Sequence, residues 1–268
     1  MVWLAGKISE KPYYIDAIGA QVHSLEEINY FVYNYMDLVY ADFFSEELIG
    51  YIDNELEEKE LAGHLREIEA GGSSVQEYIS CLLKESGYYG AQELSKVASF
   101  VMGMDTITRA ERLKVGADKL FFEEKYSRSR EAYTEILSER DPDPSKDSFY
   151  AGVAFSAGLC CARLFLCRSA NAYFDLAYEI FPKADYAKAV VYMSIAAEDD
   201  EELLRSIIKY KVSDEALEKI RKNIQALKKE IRQSEDFSEF ALNMENTQAA
   251  LKMAQTYKDE YYRMTDRK

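Results

Sequence analysis

The chain predicts an all-α fold, and three observations carry that expectation. Strong helix formers (Ala, Leu, Glu, Lys and Arg) recur at helical spacing, while breakers are scarce: 4 prolines and 12 glycines in 268 residues, too few for the many turns of an all-β protein. Serine-led capping boxes, Ser24-x2-Glu27 and Ser74-x2-Glu77, stand ahead of apolar runs of three-and-four period. Between Gly158 and Pro182, small and aromatic residues fall at fixed offsets. Gly158, Ala170 and Ala177 let two antiparallel helices approach closely, Phe174 fills the gap between them, and Pro182 stops the second helix.

Taken in order, residues 1–23 are the least helical, with Pro12-Tyr13-Tyr14-Ile15 and Ala20-Gln21-Val22 extended. Ser24 opens a helix predicted to reach about Tyr40, because Ile28, Phe31, Val32, Tyr35, Leu38 and Val39 form one wide apolar face. Ser45 caps a helix holding Leu48, Ile49 and Ile52, and a third helix over 57–70 ends at Gly71-Gly72. Ser74 opens a helix to Gly87, and another covers 89–103. From Thr108 the chain reads as pairs: 108–123 with 126–139, 147–167 with 169–181, and the shorter 186–197 with 201–210. Ser213 caps a long helix to 233, and a last helix spans 236–264. Arg140-Asp141-Pro142-Asp143-Pro144 is an inter-repeat loop, and a softer boundary lies near 104–108. The expected organisation is an N-terminal helical region 1–105, a repeat region 106–210 and a C-terminal region 211–268, in one continuous domain.

The Gly158–Pro182 pattern has an echo. Shifted back by 41 residues, Gly158 falls on Ala117, Ala170 on Ser129, Phe174 on Tyr133 and Ala177 on Ile136, and Pro142 lies within one residue of the Pro182 slot. Over about residues 108–197 this spacing resembles the tetratricopeptide repeat, a helix–turn–helix unit of about 34 residues. The extra length falls in the Asp141–Lys146 loop. The tryptophan and tyrosine slots of the family's first helix hold Leu113 and Leu120 in one unit, and Ala154 and Cys161 in the other. The resemblance implies a right-handed superhelix of antiparallel helix pairs, here with extra N-terminal helices and a long C-terminal helical hairpin. It also implies a non-catalytic scaffold or adaptor that binds a protein or peptide. A well-known use of such repeats, clamping the carboxylate-bearing tail of chaperones, needs Lys, Arg and Asn on the inner faces of the first helices. The inner positions here are Lys114, Asp118 and Phe121, then Phe155, Leu159 and Ala162, and only Lys114 fits. Lys114, Phe121, Phe122, Phe155 and Leu159 therefore suggest an apolar groove for a helix or extended peptide; the same aromatics also suit packing against a neighbouring helix.

The long helix after Ser213 carries Leu217, Ile220, Ile224, Leu227 and Ile231 at heptad-like spacing, together with Lys219, Arg221, Lys222, Lys228, Lys229 and Arg232. It reads as a capping helix, as a homodimer seam of a regulatory protein in transcription or signalling, or as a dock for an acidic partner. The net charge is −15, with −12 of it in residues 1–110 and +1 in 211–268, so the acidic front half would repel a phosphate backbone and no nucleic-acid partner is expected. Six tyrosines in the first 40 residues (Tyr13, Tyr14, Tyr30, Tyr33, Tyr35, Tyr40) suit either an interface or semi-buried packing.

Catalytic and metal patterns are weak. Asp141-x-Asp143-x-Ser145-x-Asp147 starts like a calcium loop, but Lys146 and Gly152 stand where glycine and glutamate are wanted. Asp199-Asp200-Glu201-Glu202 suits a helix's first turn and has no second acidic cluster for an α-helical Mg²⁺ enzyme. His23 and His64 lie in no ligand pattern, and no phosphate loop occurs. No catalytic, cofactor or metal residues are expected. Cys81, Cys160, Cys161 and Cys167 sit in apolar helical stretches as free thiols. Met1–Gly6 is too short for a signal peptide and no run reaches the roughly 20 apolar residues of a membrane span, which points to a cytoplasmic protein.

Overall fold

The computed structural model describes residues 6–39, 41–72, 74–104, 107–234 and 247–265. Among them lie thirteen α-helices and one two-stranded sheet, so the fold is all-α as expected. None of these helices is long and apolar enough to cross a membrane. The chain divides into two compact units, residues 1–119 and 120–268.

The first unit opens with a hairpin. Strand β1 (Tyr13–Ile15) pairs antiparallel with β2 (Ala20–Val22), Tyr13 opposite Val22. Gly19 makes the reversal in the left-handed region at φ 63°. The Tyr51 hydroxyl lies 3.0 Å from the Lys11 carbonyl and 3.1 Å from that of Val22, fastening the hairpin to α2 (Glu46–Asn54). Helices α1 (Leu25–Asn34), α3 (Lys59–Ala70), α4 (Val75–Glu85) and α5 (Ala91–Met104) complete it. The predicted caps form: Ser24 and Ser45 each accept a backbone N–H from three residues on, and Ser74 and Glu77 make a reciprocal box. Gly72 and Gly87, both at positive φ, end α3 and α4. Ile28, Phe31, Leu48, Ile49, Ile52, Leu65, Ile79, Leu82 and Leu83 are fully buried.

Helix α1 stops at Asn34, short of the expected Tyr40, which lies outside the described residues. Met36–Leu38 forms a 3-10 turn instead. The reason is tertiary. The turn drives Leu38 onto Gly116 of α6 (Arg109–Phe122), where a Cβ would stand 2.3 Å from Leu38 Cδ2. No local periodicity encodes a partner so far along the chain.

The division between the units falls within α6. Beyond it come α7 (Tyr126–Ser138), α8 (Asp147–Arg163), α9 (Cys167–Ile180), α10 (Ala184–Ala196), α11 (Asp200–Tyr210), α12 (Asp214–Gln233) and α13 (Thr247–Thr265). Each of α7 to α10 packs on the helix that follows it. Helix α12 docks through Leu217, Ile220 and Ile224 on a cluster holding Val191 and Leu203, and α13 packs on α7. Residues 236–246 of the expected last helix lie outside the described residues.

One turn recurs through this unit. Glu124, Phe165 and Glu198 sit in the left-handed region at φ 62°, 58° and 55°, each the middle of a three-residue link between helices. In each link the backbone closes the same two bonds: Lys125, Leu166 and Asp199 donate to the carbonyls of Leu120, Cys161 and Ser194, and Glu124, Phe165 and Glu198 to those of Phe121, Ala162 and Ile195. These are Schellman motifs, which satisfy carbonyls left open at a helix end. The second follows the first by 41 residues and the third follows the second by 33. The difference lies in an eight-residue connection, 139–146, against three residues at 181–183, and in the longer α8.

Packing explains why α8 is rich in small residues. Ala151, Ala154, Ala157, Gly158, Cys160 and Cys161 are all buried, so neighbours press on it from several sides. A Cβ on Gly158 would lie 2.5 Å from two ring carbons of Phe174. Ala117, Ser129, Tyr133, Ile136, Ala170 and Ala177 are likewise buried at 0–1% exposure, whereas Pro182 is exposed beyond α9.

This contact predicts opposite signs for two glycines of one helix. Gly152 has nothing within 4 Å of an added Cβ, so Gly152→Ala should raise stability by about 0.5–1 kcal/mol through helix propensity. Gly158→Ala should lower it by about 1–2 kcal/mol, because overpacking outweighs the same gain. Urea unfolding of both variants, and of Gly158→Ala with Phe174→Leu, checks this; a stabilising Gly158→Ala would show that the ring moves aside freely.

Candidate functional site

The sequence-predicted groove residues occupy varied surroundings. In the first unit, the Lys114 ammonium is paired with Asp118 on its own helix at 2.7 Å. In the second, Phe121 touches the rings of Phe122 and Tyr126 at 6.1 and 5.3 Å, and Phe122 is 83% exposed. Phe155 is half-buried between Phe174 and Tyr186, with ring centroids at 5.2 and 5.0 Å, and Leu159 lies at the surface. Phe155 therefore fills the space between helices of its own chain.

The same register leads to a groove further along. Counting 33 residues on from Phe155 and Leu159 gives Lys188 and Tyr192 of α10. Both line a groove of about 550 Å³ between α10 and α12, a volume suited to a small ligand or a short peptide segment. Ala187, Val191, Val212 and Ile220 supply apolar lining. The Asn223 amide donates to the Tyr192 hydroxyl at 3.0 Å, tying α12 to α10. Lys183, Lys188, Lys211 and Lys219 also line the groove, all exposed. Lys188 meets Asp185 at 3.0 Å, while Lys183 lies over the rings of Phe181 and Tyr186 at 5.1 and 5.6 Å. None of the five sequence-predicted groove residues lines this groove; its lining comes from α9 to α12 and their links, and the 33-residue step from Phe155 and Leu159 was the signal that could have found it.

The aromatic wall is held from behind by charge. Tyr210, a lining residue, packs edge-on against Tyr178 at 4.7 Å and donates its hydroxyl proton to Asp175 of α9. Asp175 also accepts from Lys209 at 2.6 Å, and Lys209 reaches Glu179 at 2.9 Å. Burial alone would raise the Asp175 carboxyl, but the hydrogen bonds from Lys209 and Tyr210 and the nearby cations outweigh it and hold the pKa below the usual range. Burial, reinforced by the bond to Asp175, pushes the Tyr210 phenol up, so it stays a donor. Burial would lower the Lys209 ammonium, but its bonds to Asp175 and Glu179 raise it overall.

The other candidates find structural partners. Asp141 pairs with Lys146, and Asp143 accepts the Ser145 N–H at 2.9 Å. Asp199 caps α11 by accepting the Glu202 N–H at 3.0 Å, and Glu202 pairs with Arg205 at 2.6 Å. His23 Nδ1 lies 3.0 Å from the Ser9 carbonyl, and His64 meets Glu85 at 2.7 Å. The four cysteines are free, Cys160 and Cys161 buried, and burial pushes the Cys160 thiol up to about 12. Tyr33 stacks on Tyr89 at 4.6 Å and Tyr35 is buried, while Tyr14 and Tyr30 are exposed. Of the heptad-like seam, Ile220 is buried, Leu217 and Ile224 pack inside the chain, and Leu227 and Ile231 are 56% and 58% exposed. Among the described residues no group of three His, Cys, Asp or Glu side chains is placed to hold a metal ion.

No protein-family model, no curated protein and no solved structure matches this chain.

Asp175 predicts an acid-sensitive wall. Its depressed pKa makes its contribution complete above the unfolded carboxyl value of about 4, and lost as pH falls through the folded value. Asp175→Asn should cost about 1–3 kcal/mol at neutral pH. The gap to the wild type should close as the pH drops below the folded value, read by urea unfolding across the acid range; a gap independent of pH would remove the charge argument.

Proposed function

We propose that the chain is a non-catalytic, cytoplasmic scaffold that binds a protein or peptide, built as a tetratricopeptide-like right-handed superhelix. The groove between α10 and α12 carries this reading. It combines apolar lining, an aromatic wall and four exposed lysines on a surface that the packing of the described residues leaves open. The Schellman turns inside the three helix pairs support the repeat reading, the second interval of 33 residues lying close to the family's period of about 34; the same turn also ends α11 at Lys211, outside any pair. Helix α12 then acts as the cap of the superhelix, covering the last pair while leaving a channel beside it.

A plug tests this without touching the core. Ala184 and Ala216 line the groove and are exposed. The wild type should select peptides from a random displayed library, and Ala184→Trp with Ala216→Trp should lose them while keeping the same helicity and melting temperature. Equal capture by both proteins would remove the groove from the proposal.

The exposed Leu227 and Ile231 favour a second reading, a dimeric regulatory protein joined through α12. Three of the five seam residues are spent on the chain's own core, which leaves about one heptad for a partner. On that reading, light scattering would give twice the monomer mass for the wild type and the monomer mass for Leu227→Glu with Ile231→Glu.

A further inference from the structure

We propose that the α10–α12 groove takes an internal acidic segment of a partner protein, anchored by one apolar side chain; this rests on reading the groove as a peptide site. The charge of the lining sets the class of ligand. Lys183, Lys188, Lys211 and Lys219 are lining residues in a chain whose net charge is −15. Three of them, Lys183, Lys211 and Lys219, form no ion pair with any described carboxylate, and Lys188 has only the exposed Asp185. Four lysines line one groove that has no carboxylate among its described lining residues, and an acidic chain segment supplies several carboxylates at once.

The lining also says what kind of anion. Ala184, Val212 and Ala216, over a floor of Ala187, Val191 and Ile220 that the chain's own packing buries, give an apolar surface that a free phosphate or a sugar–phosphate backbone could not use. A peptide with a Leu or Phe among its acids satisfies both parts. The cations are all lysines, point charges on flexible stems, so they suit carboxylates spread along a chain better than one planar group gripped by an arginine fork. The Asn223 amide gives one of its two N–H bonds to Tyr192, and the described lining holds no arginine fork to grip a chain-end carboxylate. The segment is therefore internal, recognised by its acidic side chains.

Fluorescence anisotropy on the full chain tests this. The probe is a labelled peptide of Asp and Glu around one Leu and one Phe, with both ends blocked. It should bind the wild type and weaken on the order of tenfold when its acids become Asn and Gln, or when Lys188→Glu and Lys219→Glu are combined. Lys188→Arg with Lys219→Arg should keep most of the affinity, and added salt should weaken binding. Replacing the Leu and Phe by Ser should also weaken it. Three results overturn the proposal: equal binding of the neutral peptide, binding that needs a free C-terminal carboxylate, or displacement of the probe by a short RNA at comparable concentration. If library-selected peptides bind and are lost on plugging the groove while acidic probes fail, the groove reading stands and the acidic one falls. If neither kind of peptide binds, both fall.

Discussion

The second unit depends on how closely α8 and α9 approach at Gly158. A ring of Phe174 occupies the volume where any other residue would place its Cβ. On another side of α8, the Cys160 thiol donates to the buried Ser129 hydroxyl of α7 at 3.3 Å. Close-packed interiors transmit such displacements rather than absorb them. Phe174 and Tyr186 both pack on Phe155, so the seat of α10 follows from that of α9. Helix α10 in turn seats α12 through Val191, and the groove exists only because those two helices are held apart at a fixed spacing.

Much of this was legible because it is local. Serine caps, glycine stops and the three-and-four apolar period are written within a few residues of the structure they cause, and Ser24, Ser45, Ser74 and Ser213 all cap helices. The burial of Ala117, Ser129, Tyr133, Ile136, Ala170 and Ala177 was legible for a different reason. Small and aromatic residues at helical spacing mark the packed face of a helix whether or not the pattern repeats.

The rest needed contacts that the chain order hides. Helix α1 looked longer because Leu38 continues its apolar face; a glycine nearly eighty positions away takes Leu38 out of that helix. Phe155 looked like a groove residue because an inner-face position is apolar both when it binds a ligand and when it packs on its own chain. Only the positions of Phe174 and Tyr186 separate the two. The α10–α12 groove joins Lys188 to Lys219 across a whole intervening helix, so neither lysine is informative alone.

Among the described residues, helix α12 is held by three side chains and one hydrogen bond, and its second half extends past that contact with Leu227 and Ile231 exposed. Such a docking is shallow compared with that of α8, eight of whose residues are buried, and shallow elements open locally at lower free energy than the core. Any occupant of the groove would touch α10 and α12 together, so it would share its free energy with the docking of the helix. Thermodynamic reciprocity links the two: an occupant would tighten the docking of α12 by the same factor by which docking raises affinity for the occupant. A partner's affinity could thus be set by sequence changes on the far side of α12, where no ligand atom ever reaches.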